Sequence, residues 1–148
     1  MYHYVDAEVP GGLAPECSYD KNQRVADSGL LHLVFDGWMG ADLVTTVAFW
    51  FVTERLAAAL RASDLTGYEL EPARASQGEQ YALVSDREVP PDWFRLIPGG
   101  RAGQDDFALD DGTELVVSDA ALRLLQSFDL ADAWVADYED VPAAGGGS

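Results

Sequence analysis

A strand-turn-helix-loop-strand pattern occurs twice in this chain at a constant offset of 65 residues, and no other feature constrains the fold as much. Phe51-Val52-Thr53-Glu54 recurs as Val116-Val117-Ser118-Asp119. At the same offset Leu60 matches Leu125, Asp64-Leu65 matches Asp129-Leu130, and Leu70 matches Val135. The match needs no gap, so equivalent positions are expected to face the same way in both copies. Neither copy holds an evident catalytic constellation.

In the first copy, Phe49-Trp50-Phe51-Val52 is a short continuous aromatic and β-branched run, as a buried strand requires. Thr53 is placed to cap a helix, and Glu54 puts a negative charge in its first turn, where the helix dipole favours it. Leu56, Ala59, Leu60 and Ser63 recur at helical spacing. Thr66-Gly67 ends the helix, and Tyr68, Leu70 and Pro72 lie on one side of the strand that follows. The second copy obeys the same rules. Asp111-Gly112 is a hairpin-turn signal, Ser118 takes the cap position, Ala121, Leu124, Leu125 and Phe128 form the apolar stripe, and Trp134 and Tyr138 sit on the closing strand.

Outside the copies, Tyr2–Val5, Leu30–Phe35 and Trp93–Ile97 read as strands, while 40–46 reads as an ambiguous stretch with one helical turn. Pro98-Gly99-Gly100-Arg101-Ala102-Gly103 reads as a mobile turn. It lacks the lysine and following helix of a phosphate cradle, though Arg101 could meet an anion. The expectation is a single α+β domain over residues 1–141. It has a mostly antiparallel sheet and two strand-helix-strand repeats, at about 49–73 and 114–138. A flexible Gly/Ala tail is expected over 142–148.

The charge balance narrows the function. Twenty-six acids face nine bases, giving a net charge of −17 that repels phosphate backbones and would steer a basic partner. From Ala102 onward eleven acids face one base, Arg123, an asymmetry that suggests a binding face. General acidity from a biased or salt-adapted genome is the competing explanation. Cys17 is the sole cysteine, so no internal disulfide is available. With no leader-like or membrane-length apolar run, a cytoplasmic protein is expected.

The common catalytic patterns do not fit. His3 and His32 are far apart in sequence and no Cys or His pair has metal-ligand spacing, so no metal or cofactor is expected. Asp105-Asp106 with Asp110-Asp111-Gly112 has the density of a calcium loop without its alternation or terminal Glu, and turn chemistry accounts for it better. There is no nucleophile elbow, and one Cys with two His is a poor basis for a Cys-His pair. Carboxylates are too abundant for any pair to stand out as an acid/base couple. Phe35-Asp36-Gly37-Trp38-Met39-Gly40 places a Trp between glycines and an acid, either as a core plug or as an exposed partner anchor.

Several segments resemble a small bacterial α+β family of two-repeat type, grouped with immunity proteins encoded beside polymorphic toxins. They are Pro10–Leu13, Phe35–Leu43, Phe51–Leu56, Gly103–Phe107 and Leu115–Ser118. The likeness spans most of the chain up to about Tyr138, through turns, caps and strand ends. Where that family has a Pro-Cys pair before Thr53, this chain has Ala48 and Trp50, so no role for that Cys carries over. The resemblance implies partner binding and supplies no active-site residue.

Charge and resemblance together lead to the expectation of a non-catalytic domain that neutralises a basic protein partner, a toxin or an assembly component. The candidate contacts are Asp105, Asp106, Asp110, Asp111, Asp137, Glu139 and Asp140, with Trp38 and Trp134 as apolar anchors. An accessory subunit of a biosynthetic or secretion assembly, or an enzyme with an unrecognised carboxylate site, are the alternatives. Neutralising Asp105, Asp106, Asp110 and Asp111 is expected to leave stability unchanged or raise it, by relieving self-repulsion.

Overall fold

Two helices begin at hydroxyl caps, and the rest of the architecture is arranged around them. The Thr53 hydroxyl accepts the Leu56 amide and the Ser118 hydroxyl accepts the Ala121 amide, each followed by an acid in the first turn. The computed structural model describes residues 2–14, 19–20, 25–26, 31–46, 49–110, 114–131 and 133–138. The expected tail and the Asp111-Gly112 turn lie outside these residues. In chain order the elements are β1 (Tyr2–Asp6), β2 (Gly11–Leu13), β3 (Tyr19–Asp20), β4 (Val25–Ala26), β5 (Leu31–Phe35), β6 (Leu43–Thr46) and β7 (Phe49–Thr53). Then come α1 (Glu54–Ala62), β8 (Tyr68–Gln77), α2 (Tyr81–Val84), β9 (Asp92–Pro98), β10 (Phe107–Asp110), β11 (Glu114–Ser118), α3 (Asp119–Gln126) and β12 (Trp134–Tyr138).

The strands form a four-stranded sheet in the order β10-β11-β1-β12, a six-stranded sheet in the order β2-β5-β8-β9-β7-β6, and the short β3-β4 ribbon. All pairings between these strands are antiparallel except β5 with β8. This is a sheet-dominated α+β fold with two main sheets, where one was expected. The six-stranded sheet curls until its edges approach. Residues Glu8 and Val44 form a parallel bridge, the Thr45 amide donates to the Glu8 carbonyl, and the Thr46 hydroxyl donates to the Gly11 carbonyl.

Within this frame β7-α1-β8 and β11-α3-β12 share one topology. The two strands of each unit run parallel, and a third, antiparallel strand is inserted between them: β9 in the first unit, β1 in the second. The registers carry the sequence offset. Phe51 and Glu71 both pair with Arg95, and Val116 and Ala136 both pair with Tyr4. Likewise Trp50 and Leu70 flank Leu96, while Leu115 and Val135 flank Val5. The buried helix positions also correspond: Leu56, Ala57 and Leu60 in α1, and Ala121, Leu122 and Leu125 in α3. The central strand follows its unit in the first case and opens the described chain in the second.

Burial explains both sides of the sheets. Leu60, Leu125, Val52, Leu96, Val117 and Phe107 belong to one core into which both helices pack. Alternate residues of β7 turn the other way, so that Phe49 and Phe51 join Leu31, Leu33, Phe35, Tyr81 and Trp93 in a second core. All five residues of β7 are buried because it has a core on each face.

Several expectations are corrected. Residues 43–46 are a strand, since Val44, Thr45 and Thr46 are β-branched and pair with β7. The stripe on α1 runs through Ala57 in place of Ala59, and on α3 through Leu122, with Leu124 only partly buried. The short helix α2 was not foreseen. The glycine-rich segment is tied down at Gly100, whose amide donates to the Gly67 and Phe107 carbonyls. Gly67 has φ +87°, and a Cβ there would stand 2.5 Å from the Phe107 carbonyl oxygen. Only glycine permits that approach.

Candidate functional site

The acids singled out from the sequence divide by what their carboxylates touch. Asp106 accepts the Thr66 amide at 2.9 Å and the Ser118 hydroxyl at 2.6 Å, so it joins the loop between α1 and β8 to the cap of α3. Asp105 accepts the Arg101 amide at 3.0 Å, and its carbonyl takes the Tyr2 hydroxyl at 2.9 Å. Both are half-buried and committed to internal bonds. Asp110 closes β10 opposite Glu114, while Asp111, Glu139 and Asp140 lie outside the described residues. Asp137 is open, with 74% of its side chain exposed.

His3 stands between Asp137 and Asp119. Its Nε2 is 2.6 Å from an Asp119 carboxylate oxygen and its Nδ1 is 3.5 Å from Asp137. The hydrogen bond from His3 is the foremost cause holding the Asp119 carboxyl below its ordinary value. The pairing of β11 and β12 with β1, and the Ser118 bond to Asp106, thus bring Asp106, Asp119 and Asp137 to the end of the four-stranded sheet where Ser118 pairs with Tyr2. His32 and Ser76 also meet, at 2.8 Å, on an exposed part of the sheet. Among the described residues no group of three His, Cys, Asp or Glu has the geometry to hold a metal ion. No helix there is long and apolar enough to cross a membrane.

Trp38 acts chiefly as a plug. Its ring meets Phe35 and Trp93 edge-on at 6.0 and 5.8 Å, and its indole N–H donates to the Ala41 carbonyl at 3.0 Å. The Arg87 guanidinium lies 5.9 Å from its ring centre. Trp134, by contrast, is 62% exposed at the start of β12.

The loop that carries Trp38 also borders an open groove of about 620 Å³, lined by Glu8, Val9, Pro10, Gly11, Asp36, Gly37, Trp38, Met39, Val84 and Ser85. Val9, Met39 and Val84 are exposed there at 65%, 54% and 69%, and Leu83, next to Val84, at 82%. Among the described residues, four of the five large exposed apolar side chains thus belong to the groove or adjoin it, which makes the surface a patch instead of scattered exposure. The backbone builds it economically: α2 turns after the Tyr81 side chain is buried, leaving Leu83 and Val84 outside. Glu8 forms the floor. One carboxylate oxygen accepts the Met39 amide at 2.8 Å, and the other is buried and accepts no hydrogen bond from the described residues. Burial raises its carboxyl above the ordinary value, with the Met39 amide opposing.

Sequence reasoning found Trp38 and the loop around it but missed Val9, Leu83 and Val84. The signal available was the apolar run Tyr81-Ala82-Leu83-Val84, too short to have two buried faces. Comparison with protein-family models, with curated proteins and with solved structures finds no match for this chain.

Proposed function

We propose that this chain is a non-catalytic, cytoplasmic protein-binding domain that neutralises a basic partner, in the manner of immunity proteins encoded beside polymorphic toxins. The observation that carries the reading is the groove, where exposed Val9, Met39, Leu83 and Val84 surround an opening that includes Glu8 and Asp36 on a chain of net charge −17. Such a surface offers apolar contact for affinity and a negative field for rapid encounter. On this reading the two strand-helix-strand units are copies of one ancestral unit, since cap, register and buried face share the offset. Asp137 and Trp134 remain available contacts, whereas Asp105 and Asp106 serve the scaffold.

The test is capture of the partner from the native host, its identification by mass spectrometry, and association kinetics with the purified pair. A basic partner, an association rate that falls with ionic strength, and a loss of roughly tenfold in affinity for Met39→Ser with Val84→Ser support the reading. A neutral or acidic partner whose binding ignores both salt and the groove variants overturns it.

A further inference from the structure

We propose that the groove is a helix-docking site, which takes one amphipathic helix of the partner, apolar on its inward face and basic on its flanks. The inference rests on the partner-binding reading above and adds to it the form of the segment that is recognised.

Much of the main chain that borders the groove is already bonded. The Asp36 and Gly37 amides donate to the Pro10 carbonyl, the Gly78 amide to the Phe35 carbonyl and the Ser85 amide to the Tyr81 carbonyl. Glu8 accepts the Met39 amide, and the Gly11 carbonyl accepts the Thr46 hydroxyl. An extended segment draws its affinity from main-chain hydrogen bonds, and against this wall its own amides and carbonyls would lose water without gaining partners. A helix satisfies its main chain internally and presents several apolar side chains from one face. That face matches what the groove and its margin supply, Val9, Met39, Leu83 and Val84 from three separate stretches. Gly37 keeps the surface open, because a Cβ there would stand 3.5 Å from a Val84 methyl and cover it.

Charge selects the occupant. Four exposed acids border the short helix α2 on its two sides: Asp36 and Glu79 beside Gly78 before it, Asp86 and Glu88 after it. The one base among them, Arg87, lies against the Trp38 ring and beside Gly40. An apolar surface rimmed by carboxylates is complementary to a helix whose apolar face is flanked by lysines or arginines. A second copy of this chain would bring another net charge of −17 to the same rim.

The probe is a terminally blocked peptide of about four helical turns, with leucines on one face and lysines on its flanks. It is titrated into the whole protein and followed by methyl and amide NMR. The expected result is a set of shifts centred on Val9, Met39, Leu83 and Val84, with a gain of peptide helicity in circular dichroism. A central proline in the peptide should weaken binding by about tenfold or more. Gly37→Leu, which fills the groove, and Leu83→Ser should each weaken it by about threefold or more. Equal binding of the proline peptide, or no binding while a captured basic partner still shifts the groove, overturns helix recognition and leaves the partner-binding reading intact. Shifts confined to residues outside the groove overturn the site. Equal binding of a peptide with glutamates in place of the lysines overturns the choice of a basic occupant and the reading beneath it. Self-association of the protein alone, abolished by Leu83→Ser, assigns the groove to a second copy and overturns the proposal. The peptide comparison uses the unaltered protein, so it stands even if a variant fails to fold.

Discussion

Asp42 and Asp129 clasp each other across the molecule: the Asp42 amide donates to the Asp129 carbonyl at 2.6 Å, and the Asp129 amide donates to the Asp42 carboxylate at 2.9 Å. The Asp42 carboxylate, 2% exposed, also takes the Thr53 hydroxyl and two guanidinium nitrogens of Arg55. One side chain therefore joins the cap of α1 to the loop after α3, linking the two units.

Replacing Asp42 with Ala is expected to cost about 3 kcal/mol, because it leaves buried donors without an acceptor. Burial alone would raise the Asp42 carboxyl, but hydrogen bonds from Arg55, Thr53 and the Asp129 amide outweigh it and hold the value below ordinary. A depressed folded value means that the stabilisation is present above the ordinary carboxylate range and is lost as pH falls through the folded value. Denaturant unfolding of wild type and Asp42→Ala should therefore converge in acid, below about pH 4. A constant difference down to the acid transition would exclude this role.

Leu60 and Leu125 are both fully buried in the same core, so Leu60→Ala and Leu125→Ala should each cost about 2–5 kcal/mol. Loss of less than half a kcal/mol, roughly, at either position would place that side chain outside the core. The caps should also correspond, with Thr53→Ala and Ser118→Ala each costing about 1 kcal/mol.

Glu8→Gln is expected to raise the melting temperature at pH 7 or leave it unchanged. A raised folded value means that Glu8 contributes stability in acid and loses it as pH rises through that value, so the ionised form is the unfavourable one. Any advantage of the variant should vanish below the ordinary glutamate range. A lower melting temperature at neutral pH would show that the charge itself is needed.

For Asp106 the structure reverses the sign expected from charge alone. Asp106→Ala removes acceptors from the Thr66 amide and the Ser118 hydroxyl and should cost about 1–2 kcal/mol, despite relieving repulsion. Calorimetry of the single variant would decide it, since a stability gain would make repulsion the larger effect.

Much of the scaffold was legible locally. Phe49–Val52 and Leu115–Val117 read as strands because their residues are apolar and β-branched or aromatic, and Thr53 and Ser118 read as caps because the hydroxyl and the amide it accepts are three residues apart. Residues 40–46 misled because a four-residue strand takes its stability from β7, not from its own pattern. The groove was illegible for a related reason: Val9, Met39 and Val84 come from three separate stretches, and exposure is a property of their meeting.

The sequence by itself determined the mixture of strands and helices, the caps at Thr53 and Ser118 and the acidity, because these follow from residue type and short-range spacing. Only the tertiary structure decided that β1 enters between β11 and β12 while β9 enters between β7 and β8, that Asp42 holds Asp129, and that Asp105 and Asp106 turn inward as Asp137 stays open. Strand neighbours and carboxylate partners are chosen by contacts between residues far apart in the chain. Burial of both sheet faces sets those contacts, and no local pattern encodes them.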